Sequence, residues 1–195
     1  MIIAIAGLPG TGRSTLAHAL AEQLGDDGVL ERDYLGRHLF SASRVGPGDE
    51  QDHFVVDVML KTTAWRLERD PESAIILDGL PLTRIRQVTS LQRFADHLRQ
   101  QLHVIECVCA ERLALGRLAA KRAAGRHWDD QHVDAEFYYA RKEHAELIPQ
   151  PKLIVDTALP PDECLALALR FVLPTSTTAR RTASATSRAG ATAPA

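Results

Sequence analysis

The stretch Met1–Thr15 limits this chain more than any other. Met1–Ala6 is an unbroken apolar run, and it is followed by Gly7-Leu8-Pro9-Gly10-Thr11-Gly12-Arg13-Ser14-Thr15. Such a run, closed by glycine, predicts a fully buried parallel strand. From Arg13 to Leu24 the period changes: Leu16, Leu20 and Leu24, with Ala17 and Ala21, fall on one helical face. The residues between fit the pattern G-x-x-x-x-G-basic-S-T in the context that pattern needs, after a strand and opening a helix. Glycines allow backbone N–H groups to turn inward around phosphate oxygens, and the helix start adds its positive dipole end. Gly7, Leu8, Pro9, Gly10, Thr11, Gly12, Arg13, Ser14 and Thr15 are therefore expected to bind a purine nucleoside triphosphate. Ser14 is placed to ligate Mg²⁺, and Thr15 to touch an inner phosphate. Arg13 stands where this pattern ordinarily has lysine. Its planar fork keeps the charge but is longer and bulkier than an ammonium, so binding can survive while alignment of the reacting phosphate suffers.

The remaining chain alternates strand and helix patterns. Gly28–Arg32 predicts a second strand, Tyr34–Phe40 a short helix, and Ser41–Gly48, with its Gly46-Pro47-Gly48, a mobile loop. Asp49–Arg69 predicts a long helix with Phe54, Val55, Val58, Met59 and Trp65 as its buried stripe. Ala74–Leu77 follows as a third strand, ending at Asp78-Gly79 in the pattern of a Mg²⁺-holding acid. Then come helix at Thr83–Gln100, strand at Leu102–Val108, helices at Glu111–Ala124 and Asp130–Leu147, strand at Leu153–Val155, and a last helix after Pro160-Pro161. This order implies an α/β fold, three layers α/β/α around a five-stranded parallel sheet with right-handed crossovers. Residues 1–173 form the expected domain; residues 174–195, rich in Ala, Thr, Ser and Arg without an apolar period, read as a disordered tail.

The segment GLPGTGRSTLAHALAEQLG followed by VLERDYLGRHLF resembles the small P-loop kinases of the nucleoside-monophosphate kinase type. Within them it is most similar to the branch of polynucleotide kinase, zeta toxin and chloramphenicol phosphotransferase. The resemblance is specific over the first forty residues and continues as a matching element order to 173. It implies an ATP- and Mg²⁺-dependent phosphotransferase acting on a hydroxyl of a small molecule. It further implies that Asp33, after the second strand, faces the acceptor hydroxyl, although Asp33 also suits a helix N-cap. Arg37 would share a face with Asp33 and hold an anionic acceptor, and Asp78 could face the acceptor instead of the metal. A helical lid at about 110–130 would supply cations, best matched by Arg117 and Arg122, with Gly125 letting it close. Asp156-Thr157-Ala158-Leu159 marks the adenine side. A nucleotide or polynucleotide kinase, a toxin-like kinase of a sugar nucleotide, and a non-catalytic ATP-binding regulatory protein are the alternatives.

Charge weighs among these. All 25 acidic side chains precede residue 174, whereas Arg180, Arg181 and Arg188 follow it, so the body carries −5 against −2 for the whole chain. A body of that sign argues against gripping nucleic acid, though not against a mononucleotide. No apolar run approaches membrane-span length and no basic segment precedes Met1–Ala6, so a cytoplasmic protein, monomer or homodimer, is expected. Cys107, Cys109 and Cys164 read as reduced and structural. His127, Trp128, His132 and His144 form no convincing metal set, and Tyr138 and Tyr139 read as packing residues.

Overall fold

The structure, a computed structural model, describes residues 1–25, 28–40, 49–80, 82–124, 134–147 and 151–173. The 41–48 loop, Gly125, Arg126, His127, Trp128, His132 and the 174–195 tail lie outside them. Strands β1 (Ile2–Ala6), β2 (Val29–Glu31), β3 (Ile75–Asp78), β4 (Leu102–Val108) and β5 (Leu153–Asp156) form one sheet in the order β2-β3-β1-β4-β5. Every pairing is parallel. Helices α1 (Arg13–Leu24), α2 (Arg32–Leu39), α3 (Asp49–Arg69), α4 (Ile85–His97), α5 (Glu111–Ala123), α6 (Ala135–Glu143) and α7 (Pro161–Val172) connect them.

The central strand shows why the apolar run has no polar alternation. Ile2, Ala4 and Ala6 turn to one face and pack with Val55 and Met59 of α3 and Val88 and Leu91 of α4. Ile3 and Ile5 turn to the other and pack with Leu16 and Leu20 of α1 and Ala168 and Val172 of α7. Side chains alternate across a strand, so a strand covered on both faces is apolar at every position. A third cluster, Ala114, Leu118 and Tyr138 with Leu8, seats α5 and α6 against the phosphate loop.

Several boundaries and faces differ from the sequence expectation. The second strand stops at Glu31 and α2 begins at Arg32, so Asp33 lies in the first turn of α2 and is not its N-cap; Glu31 holds the cap position. On α3 the buried side is Val55, Met59, Thr63 and Leu67, spaced by four, while Phe54 and Trp65 are exposed. Thr63 fits inside because its hydroxyl donates to Met59 O at 2.8 Å, and Trp65 instead carries the Arg69 guanidinium over its ring at 3.9 Å. The helix expected at Asp130–Leu147 is seen at Ala135–Glu143, started by Asp134, whose side chain accepts from Phe137 N at 3.0 Å. Beyond it Glu146 is drawn to α4, where its carboxylate accepts from Ile85 N at 2.9 Å. That helix is shorter than the expected Thr83–Gln100: Gln87 Oε1 accepts from Thr83 N and Arg84 N at its start, and Arg99 takes φ 55° beyond its end.

Candidate functional site

The carboxyl ends of β1, β3 and β4 meet at one edge of the sheet, and the phosphate loop turns there. Gly7, Gly10 and Gly12 all take positive φ, 138°, 78° and 80°, a region that glycine enters without a Cβ penalty. At Gly10 the need is also spatial, since a Cβ would lie 2.5 Å from Ala114 O of α5. Gly12 is the N-cap of α1 and offers no side chain to its first turn. The amides that open α1 therefore have no side-chain cap and are available to an anion. Thr11 is buried and braces the loop from within, its hydroxyl donating to Leu8 O at 2.7 Å. Ser14 and Thr15 are exposed, and Arg13 is half-buried with no hydrogen bond or ion pair among the described residues.

Ser14 meets Asp78 across the sheet edge. The Ser14 hydroxyl donates to Asp78 Oδ2 at 2.5 Å. Asp78 is 4 % exposed, and its Oδ1 has no hydrogen-bond partner. A buried carboxylate oxygen without a partner costs free energy unless something satisfies it. A hydroxyl and a carboxylate are hard oxygen donors of the kind that Mg²⁺ takes, so these residues fit that ion.

Asp33 is approached by cations from several elements. Arg32 donates to its Oδ1 through Nε at 3.2 Å and Nη2 at 2.9 Å. Partial burial pushes the carboxyl pKa up, but Arg32 beside it, with Arg13 of α1 and Lys121 of α5 further off, outweighs burial and leaves it below the ordinary value. Arg37 is half-buried and unpaired among the described residues.

The two lid arginines go to different places. Arg117 turns under the loop: Nη1 donates to Thr157 Oγ1 at 2.9 Å and Nη2 to Thr157 O at 2.8 Å. Thr157 Oγ1 in turn donates to Thr11 O at 2.8 Å. Arg117 thus ties α5, the phosphate loop and the turn after β5 into one unit, beside a hollow of about 430 Å³ along α5. Arg122 lies 3.8 Å from Asp134, both side chains substantially exposed. Tyr138 is buried against α5, while Tyr139 reaches Glu111 Oε1 with its hydroxyl at 2.9 Å. Cys107 lies behind the loop, where burial pushes its thiol up to about 12.

Arg32 and Lys121 were not among the residues that the sequence singled out for this site; Thr157 was, in the adenine-side turn, but not as the partner of Arg117. No motif announces Arg32 or Lys121, and the links of Arg32 to Asp52 and of Arg117 to Thr157 join elements that are distant in sequence.

The profile of a protein family described as an AAA domain matches residues 2–146. A protein of Pyrococcus abyssi (strain GE5 / Orsay), provisionally named an adenylate kinase, is 32 % identical over 149 residues, 76 % of this chain and 73 % of that protein. Among solved structures, a provisionally named kinase from Chloroflexus aurantiacus superposes with a TM-score of 0.65 at 20 % identity, over 87 % of this chain and 97 % of the other. The APS kinase of Mycobacterium tuberculosis, solved with AMPPNP and APS, gives 0.60 at 12 % identity, over 88 % and 96 %. Both superpositions carry the five-stranded parallel P-loop fold. Among the described residues no helix is long and apolar enough to cross a membrane.

Proposed function

Since the chain belongs to the AAA domain family, as a kinase-like P-loop protein, we propose that it is an ATP- and Mg²⁺-dependent phosphotransferase that moves the γ-phosphate to a hydroxyl of a small molecule. One observation carries the reading: the chain leaving β2 beside Asp78 puts Asp33, half exposed and held by Arg32 through Oδ1 alone, at the sheet edge that also holds Ser14, Asp78 and the uncapped amides opening α1. Ser14 and Asp78 would suffice for binding Mg²⁺-nucleotide; a second carboxylate at that edge with an oxygen left over is what transfer adds. Transfer needs both, a base or orienting group for the acceptor and cations for charge spreading over the moving phosphoryl group.

In this reading the loop amides of Gly7–Thr15 bind the phosphates, and Ser14 and Asp78 hold Mg²⁺. When bound, the ion neutralises phosphate charge. Asp33 orients the acceptor hydroxyl and takes its proton as the hydroxyl oxygen bonds to the γ-phosphorus; the bond to the β–γ bridging oxygen breaks and ADP leaves. Arg13 and Lys121 face the charge that develops, Arg122 follows them when the lid moves, and Arg37 holds an anionic part of the acceptor. Arg117, locked on Thr157, forms the wall on the adenine side. The site belongs to an enzyme of the cytoplasm, a monomer or homodimer, with residues 1–173 as its working domain. The name of the Pyrococcus abyssi relative favours a second acceptor class, a mononucleotide, at the same site.

The test is acceptor-stimulated ADP release in a screen of hydroxyl compounds that includes AMP. Release above the ATP-only background, abolished by Asp33→Asn, supports the reading. Binding of Mg²⁺-ATP with no stimulation by any acceptor would favour the regulatory alternative.

A further inference from the structure

Arg32 is the first residue of α2 and its guanidinium is shared. Nε and Nη2 both donate to Asp33 Oδ1, and Nη1 lies 3.0 Å from Asp52 Oδ2 on α3. The arginine side chain is only 20 % exposed, against 49 % for Asp33 and 54 % for Asp52. Exposed ion pairs are worth little, but here the shared cation is the sheltered member. The root of the arginine packs against the turn that follows Asp78: Gly79 takes φ +83°, and a Cβ there would lie 3.0 Å from Arg32 Cβ. The turn beyond β3 thus packs on the root of Arg32, while Asp33 of α2 and Asp52 of α3 share its guanidinium. Asp33 spends one oxygen on it; Oδ2 has no hydrogen bond among the described residues.

We propose that Arg32 is a positioning residue: anchored from α3 by Asp52, it fixes Oδ1 of Asp33 and so presents Oδ2 to the acceptor hydroxyl. The proposal rests on the reading of Asp33 as the acceptor-side carboxylate. Its chemistry follows from the fork of the guanidinium, which can hold two carboxylates at once where a point charge cannot. Asp52 touches Arg32 and not Asp33, so its positioning effect on Asp33 passes through the arginine, whereas its direct charge repulsion has the opposite sign. The charged groups facing Asp33 are Arg32 on its own helix, Arg13 on α1 and Lys121 on α5. Losing Arg32 leaves two more distant cations.

The test is titration of the Asp33 carboxyl by ¹³C NMR in the full chain labelled at aspartate, with the resonance assigned by its loss in Asp33→Asn. Wild-type Asp33 is expected to titrate below the ordinary aspartate value of about 3.9. Arg32→Gln should raise the midpoint by about one pH unit or more, and Arg32→Lys should restore only part of the difference. Asp52→Asn is the discriminating variant. If Asp52 anchors the arginine, its loss frees Arg32 to swing and raises the Asp33 midpoint. If Arg32 and Asp33 pair on their own, removing a competing carboxylate leaves the midpoint unchanged or lowers it, and the proposal is overturned. An unchanged midpoint in Arg32→Gln overturns it as well. Binding of AMPPNP with Mg²⁺ serves as the fold control; Asp52→Asn carries the test if Arg32→Gln fails it. Wild-type protein that does not bind AMPPNP would sink the proposed phosphotransferase, while the coupling of Arg32, Asp33 and Asp52 would still be decided by the titration.

Discussion

Arg13 puts a planar guanidinium where phosphate loops ordinarily carry an ammonium, and nothing among the described residues ties it down. In the proposed transfer it is the loop side chain that answers charge on the moving phosphoryl group. Arg13→Ala is therefore expected to lower turnover by about 10²–10³-fold in the ADP-release assay. Asp33 gives a pH prediction. Its carboxyl is held below the ordinary value, chiefly by Arg32 working against partial burial. A base must be ionised to act, so activity limited by Asp33 stays level as pH falls towards the usual carboxylate range and is lost only below it. A pH profile of kcat/KM whose acid limb lies near neutrality would contradict this assignment. At Gly10 the argument is steric. Its φ of 78° and the 2.5 Å approach of a Cβ to Ala114 O predict that Gly10→Ala costs about 1–3 kcal/mol, read by urea unfolding, with weaker AMPPNP binding.

At the scale of elements, the join between α5 and the loop depends on Arg117. Its guanidinium supplies two hydrogen bonds to Thr157, and Thr157 bonds onward to Thr11. Hydrogen bonds that involve a charged group contribute about 1.5–3 kcal/mol, so Arg117→Ala should lower the unfolding midpoint and speed amide exchange along α5. The exposed pair of Arg122 with Asp134 predicts no comparable loss of stability for Arg122→Ala. These contrasts show where sequence reading succeeds. The phosphate loop was legible because its glycines are adjacent and its context is local. The bounds of α3 and β4 were legible from apolar period and flanking breakers. The faces of α3 were not: Phe54 and Trp65 are large and apolar, yet the spacing of Val55, Met59, Thr63 and Leu67 decides which side meets the sheet. Nor could sequence see Arg32 with Asp52 or Arg117 with Thr157, because such pairs obey no period and exist only once the elements are docked.

For the molecule as a whole, five parallel strands and helices on both faces follow from alternation of apolar patterns. The order β2-β3-β1-β4-β5 does not, because it depends on which edge each crossover takes. That order brings Asp78 beside Ser14 and sets β2, hence Asp33, on the far side of Asp78 from the loop. A ligand bound only by the folded state adds RT ln(1 + [L]/Kd), about 2.7 kcal/mol at a hundredfold excess over Kd. Mg²⁺-AMPPNP should thus raise the thermal midpoint of the wild type, and Asp78→Asn should remove the Mg²⁺-dependent part of that rise. The most direct test of the central claim is transfer itself. Protein, Mg²⁺ and γ-labelled ATP are incubated with a panel of small hydroxyl compounds, and label in the acceptor is measured for wild type and Asp33→Asn. The account predicts a labelled product from wild type and a loss of about 10²–10⁴-fold in the variant. Equal labelling by both proteins, or ATP bound with no label reaching any acceptor, would contradict it.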